Sequence, residues 1–416
     1  MHGIEGFIYP NEAELQWSVL IVLYPFITGL VAGAFILASL ERVFNVQAVK
    51  PTYRLALLTA LAFLLVAPLP LQLHLGQPQR SFEMFLTPSR SSAMAMFGFV
   101  YLWYLTVVLV LEIWFDYRRD LVLAWRRSTG LTRLFYGALT LWSDDISPRA
   151  LAIDDRLGRA ITIVGIPSAF LLHGYVGFIF GSVKANPWWS TPLMPIVFLF
   201  SAMVSGIALV MLLYVGLAWM RRTGIDMVCV DTIGRYLFYA LLIDFSLEML
   251  DLVHRLYEAD ESLKALDFMV RTRLWTSQVI VQIVIGTLVP IALLAALQVT
   301  PPDAPAGPGR PTQAARRTAR TLRRRLVDAR LGVYVAAGIL TLIGIFAMRW
   351  NVVIGGQLFS KSFLGYTTYK MEFASREGLL PAVVLMLLPF AILAVLVRVL
   401  PPWTPAGETV SQQVSV

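Results

Sequence analysis

Nine apolar runs constrain this chain more than any other feature. They lie near residues 17–40, 54–73, 92–114, 160–182, 192–219, 234–254, 274–297, 331–348 and 379–397. Each is long enough to cross a hydrocarbon layer of about 30 Å as a helix. None alternates with a period of two, as a membrane-spanning strand would. The chain therefore reads as all-α, a polytopic transmembrane helical bundle of about nine helices. The runs 54–73 and 379–397 contain prolines, so their ends are the least sharply marked. Only 14% of the residues are charged, against about 25% in an ordinary soluble domain. That leaves no room for a soluble catalytic domain.

The net charge of +8 invites a nucleic-acid reading, but its distribution argues against one. With the N-terminus outside, 23 of the 34 Lys and Arg residues fall in inside segments 41–54, 115–159, 220–235, 298–330 and beyond 397, and 11 fall outside. This is the bias of the positive-inside rule, so the basic excess reports orientation. The leader is acidic, with Glu5, Glu12 and Glu14, and lacks the basic start of a cleaved signal. The first helix is expected to act as an uncleaved insertion signal. The single cysteine, Cys229, excludes a disulfide framework and a Cys-ligated cluster, and reads as structural.

Four segments follow. Residues 1–297 form a seven-helix membrane block, and 298–330 a cytoplasmic basic linker. Residues 331–400 form a two-helix membrane block, and 401–416 a disordered tail. The linker starts Pro/Ala/Gly-rich and ends Arg-rich, which suggests a flexible stretch followed by a basic interfacial helix on anionic lipid. The loop 115–159 is expected to hold an amphipathic surface helix. In the first helix, Gly29, Ala32 and Gly33 leave space for a close neighbour.

Several strings are too particular to be membrane filler. A Leu-Gly-x-Pro-x-Arg loop runs from Leu75 to Arg80, continued by Ser-Ser-Ala-Met at 91–94. The fourth helix carries LLHGYVGFIFGS, followed by VKANPWWSTPLMP, and the eighth ends in RWNVVIGGQ. In this order the strings resemble the NrfD/PsrC family, the polysulfide reductase membrane subunits, from about Trp17 to about Gln357.

The resemblance implies a subunit of a respiratory complex in the bacterial inner membrane. Such subunits exchange electrons between quinone, menaquinone or ubiquinone, and an extracytoplasmic [4Fe–4S] ferredoxin-like subunit. That partner leads to a molybdopterin enzyme or a multihaem cytochrome. No haem or iron–sulfur cluster is expected in this chain. Of the four histidines only His173 and His254 could face one another, and they lie at different depths. The family's quinone site maps onto Tyr24, His74, Arg80, His173 and Tyr175, near the outer face. His74 stands where an acidic residue often begins the loop, and an imidazole there can hydrogen-bond a carbonyl and exchange a proton.

Plainer readings stay open. Tyr24 and Tyr175 can be packing residues, His173 can bond a neighbouring helix, and Arg80 can anchor to headgroups or to the partner. Trp188 and Trp189 read as interfacial-belt aromatics. Asp244, Glu248 and Asp251 share one face of the sixth helix at i, i+4 and i+7. Three carboxylates in low dielectric cannot all be ionised cheaply, which marks a possible proton path. Asp251 can instead pair with Arg255 at i+4. No nucleophile–base pair, phosphate loop or metal-ligand spacing appears, so no complete active site for a terminal substrate is expected. Two other functions compete: a secondary transporter, without the paired broken helices usual there, and a purely structural anchor.

Overall fold

The computed structural model describes residues 5–87, 89, 91–258, 263–299 and 313–403. Among the described residues, eight helices are long and apolar enough to span: α1 Val19–Arg42, α2 Gln47–His74, α3 Met96–Arg127, α4 Pro148–Gly181, α5 Met194–Met220, α7 Trp275–Val299, α8 Gln313–Val353 with its span at Leu326–Gln357, and α9 Leu379–Val399. A ninth, α6 Met227–Glu258, is 32 residues long but carries the acidic face already noted. The expected all-α bundle is thus present. The one sheet among the described residues is a two-stranded ribbon, β1 Glu5–Gly6 against β2 Gly365–Tyr366.

The helices outrun the apolar stretches that announce them. α4 has 34 residues, about 51 Å of axis against about 30 Å of hydrocarbon, so its polar end stands clear of the layer. α8 is also longer than its apolar run. A separate basic surface helix was expected before it; instead one unbroken helix runs from Gln313 to Val353. The reason is local: from 313 to 331 the sequence is mostly Ala, Arg and Leu, with no Gly or Pro to break it. Part of the expected linker, residues 300–312, and the expected tail from residue 404 on lie outside the described residues. The amphipathic surface helix is Gly130–Leu139.

α1 is enclosed along its whole apolar length. It packs most heavily on α5 and α2, with α4 and α8 completing the ring. The contact with α5 is backbone to backbone: a Cβ on Gly33 would stand 2.1 Å from the Ala202 carbonyl oxygen, and one on Gly206 2.3 Å from the Gly33 carbonyl carbon. Small residues thus permit the approach expected of them. α8 packs on α7 and α5, while α9 returns to lie on α2, so the last two helices are built into the bundle of the first seven.

The connections sort onto two faces. The N-terminal segment shares one face with the 182–193 turn, the short helix Leu263–Thr272 and residues 354–378: Glu5 pairs with Arg273, and Trp17 stacks on Trp189. The opposite face holds the short connections after α1, α3 and α5.

Candidate functional site

Tyr24 lies in the second turn of α1, and Tyr175 in the part of α4 nearest the N-terminal face. Between them stands Phe97 of α3. Its ring meets Tyr24 edge-on at 5.4 Å and stacks on Tyr175 at 5.8 Å. The Tyr175 hydroxyl is buried and has no hydrogen-bond partner among the described residues. A buried phenol normally finds one. The trio forms a packed aromatic cluster with an unused polar handle.

His173, two residues earlier, turns to the other side of α4 and is wholly buried. Arg349 Nη2 lies 3.1 Å from its Nε2, and Thr28 Oγ1 3.3 Å from its Nδ1. A guanidinium only donates, so Nε2 accepts and Nδ1 carries the proton. Nδ1–H then donates to Thr28, whose own hydroxyl donates to the Tyr24 carbonyl at 3.0 Å. Gly29 makes room for this ring: a Cβ there would lie 3.2 Å from His173 Cε1.

Arg349, at the end of α8's apolar run nearest the N-terminal face, is the largest fully buried side chain among the described residues. It also donates to Ser201 Oγ at 2.6 Å and to the Phe198 carbonyl at 3.3 Å, and it stacks 4.0 Å above the Phe198 ring. Its electrostatic partners are Asp244 and Glu248 of α6. Gln282 of α7 donates to both Glu248 oxygens at 3.2 and 3.3 Å, and Asn351 donates to Gln282 at 2.8 Å. Asp244 is 4% exposed, with one carboxylate oxygen unpartnered. The third acid behaves differently. Asp251 pairs with Arg255 at 2.9 Å and accepts from Thr191 at 2.5 Å, while Arg255 donates to the carbonyls of Pro187 and Trp188. Asp251 thus clamps α6 to the 182–193 turn, as the plainer reading allowed.

Beside this row lies a cavity of about 540 Å³, walled by Glu248, Asp251, Gln282 and Asn351 on the polar side and by Met194, Ile283 and Met348 among others. It faces the N-terminal side, where Trp188 and the Leu263–Thr272 helix border it.

The other expected residues stand apart from the aromatic cluster. His74 bonds Glu377 at 2.9 Å, tying the end of α2 to the loop before α9. Arg80 is exposed and forks onto Glu83. His254 lies on the exposed side of α6. Trp188 and Trp189 correct the interfacial-belt expectation. Trp189 is buried, stacks on Trp17 at 5.0 Å and donates to the Val352 carbonyl; Trp188 donates to the Asn351 carbonyl at 2.9 Å. The turn folds onto α1 and α8, so protein rather than headgroups satisfies the indoles. Cys229 is buried, as expected of a structural thiol. Among the described residues, no three His, Cys, Asp or Glu side chains gather as a metal site.

Sequence reasoning missed Arg349, which it placed among outer-loop charges, and the amides Gln282 and Asn351. The available signal was a lone arginine closing a long apolar run.

The family model described as polysulphide reductase, NrfD matches residues 10–303. The chain is 34% identical over 214 residues to a selenate reductase subunit of Mesobacillus selenatarsenatis, covering 50% of each chain. It is 28% identical over 202 residues to protein NrfD of Escherichia coli, covering 48% of this chain and 59% of the relative. The chain thus spans about half the length of the curated relatives it matches.

Proposed function

The chain belongs to the polysulphide reductase NrfD family, and from that footing we propose that it is the quinone-reactive membrane subunit of a respiratory oxidoreductase complex in a bacterial inner membrane. It exchanges electrons between menaquinone or ubiquinone and an extracytoplasmic [4Fe–4S] ferredoxin-like subunit. That subunit serves a molybdopterin enzyme or a multihaem cytochrome. The N-terminal face is the outer one, on the strength of the charge split.

One observation carries the reading: the buried, unpartnered Tyr175 hydroxyl in an aromatic cluster with Phe97 and Tyr24. Such a cluster suits a flat head group that accepts one hydrogen bond and packs on aromatic faces. A bound quinone supplies two carbonyl acceptors and, on reduction, takes up two electrons and two protons. Tyr175 donates to one carbonyl, while Phe97 and Tyr24 orient the ring and exclude water. His74 and Arg80 stand on the same outer face, where the loop meets the partner and the headgroups. Asp244 and Glu248 hold and pass protons beside Arg349, and the adjoining cavity gives Glu248 its access to water.

A photoreactive azidoquinone tests this in the full chain. Label is expected on peptides containing Tyr24, Phe97 or Tyr175, and quinone added in excess abolishes it. Label confined to α6–α8 overturns the assignment of the quinone to the aromatic cluster.

A further inference from the structure

Glu112 lies within the apolar run of α3 and is 0% exposed. Its Oε1 accepts from Thr162 of α4 at 2.7 Å and from the Tyr53 hydroxyl of α2 at 3.2 Å. Its Oε2 is buried with no partner among the described residues. Toward the membrane centre on the same helix, Tyr104 is likewise 0% exposed, with an orphan hydroxyl. Tyr104 opens a π-helical stretch, Tyr104–Val110, and such wide turns recur at functional places. From Tyr104 to Glu112, α3 therefore carries two fully enclosed, hydrogen-bond-capable groups with unused capacity inside the layer.

The charges around Glu112 lead the other way, to the face opposite the N-terminus. Asp116, one turn along, is held by Arg54 at 2.7 Å. Arg42 of α1 bridges Asp155 at 3.2 Å and Asp116 at 3.9 Å, and its Nε is buried and unpartnered. Arg54 also holds Asp120 at 2.7 Å. Asp155 has 69% of its side chain exposed. Glu41, Arg42, Tyr53, Arg54, Asp116 and Asp155 thus form a graded entry from water to the interior. Arg42 acts on Glu112 at a distance, because its head group is committed to the two aspartates. A carboxylate fixed by a structural ion pair would have that arginine on its free oxygen. Glu112 does not.

We propose that Glu112 is a reversible protonation site within the membrane, served from the face opposite the N-terminus through the Arg42–Asp116–Asp155 cluster. A proton from water at Asp155 adds to the Glu112 carboxylate, and on release that O–H bond breaks and the proton returns to water through the same cluster. No electron moves in the step. The use of that proton in quinone chemistry rests on the reading above; the protonation itself does not.

Infrared difference spectroscopy on the full chain in oriented proteoliposomes, without quinone, tests it. With pH stepped on the Asp155 side alone, a protonated-carboxyl C=O band is expected in wild type and lost in Glu112→Gln. Tyr53→Phe, which removes one of two donors to Oε1, is expected to shift that band and decides the matter if Glu112→Gln fails to fold. A band unmoved by both variants, or one that answers only to pH on the N-terminal side, overturns the proposal. Neither result touches the azidoquinone outcome, so the two readings fail separately.

Discussion

Arg349 of α8 and His173 of α4 meet at 3.1 Å in the interior, and their contact joins the two halves of the bundle. On one side His173 leads through Thr28 to the Tyr24 carbonyl. On the other, Arg349 faces the acids of α6. His173 with the Tyr24 carbonyl on one side, and Asp244 with Glu248 on the other, are therefore bridged by one arginine.

Arg349→Met removes the positive charge that offsets Asp244 and Glu248 and leaves Nε2 of His173 without its donor. Losing one member of a buried charge group costs about 3–5 kcal/mol. Thermal unfolding in detergent should drop accordingly, and adding Asp244→Asn should restore part of the loss. Full stability in the single variant would show that the charge is not needed. Arg349→Lys should not fully rescue, because a compact ammonium cannot reproduce the planar guanidinium that stacks 4.0 Å above the Phe198 ring.

Gly206→Val should destabilise by about 2 kcal/mol or more, since its first added carbon already stands 2.3 Å from α1 backbone. Gly216→Ala lies on the same helix with nothing within 4 Å and is the matched control, expected to be neutral or slightly stabilising. Melting temperatures of the two purified variants check the pair.

The three acids of α6 should separate by phenotype. Asp244→Asn and Glu248→Gln should slow proton-coupled quinone turnover at least several-fold across pH 6 to 8 while the chain stays folded and binds quinone; normal turnover in both makes the row structural. Asp251→Asn should instead loosen the 182–193 turn, because it releases Arg255 from its clamp on the Pro187 and Trp188 carbonyls. Limited proteolysis at that turn reads this directly.

Orientation is accessible because the one native thiol, Cys229, is buried. Lys361→Cys lies on the N-terminal side at a side chain 53% exposed, and Asp144→Cys on the opposite side at one 72% exposed. A membrane-impermeant maleimide should label the first in intact cells and the second only after permeabilisation. The reverse pattern overturns the proposed topology.

Apolar length and charge bias made the bundle legible, because lipid forces every span to satisfy its backbone internally. The i+4 pairing of Asp251 with Arg255 was legible for the same reason that any helical face is. Partners across helices were not. Glu112 hides in an apolar run because one charge barely lowers its mean hydropathy, and its hydrogen bonds come from α2 and α4. Trp189 shares a sequence context with interfacial tryptophans; only the fold of the turn onto α1 shows that its indole is spent inside the protein.

The ribbon of β1 and β2 pairs Glu5 with Tyr366 and Gly6 with Gly365, and Glu12 of the same segment caps Ser360 and Lys361. These contacts join parts of the chain about 350 residues apart. The segment around Glu5 to Glu12 is made well before its docking site, which does not exist until the eighth helix has been inserted and its following loop delivered. The ribbon is therefore a late feature, a clasp that forms only once the first eight helices are threaded. A chain stalled before residue 360 keeps that segment loose and open to protease, which gives membrane quality control a simple mark of unfinished insertion.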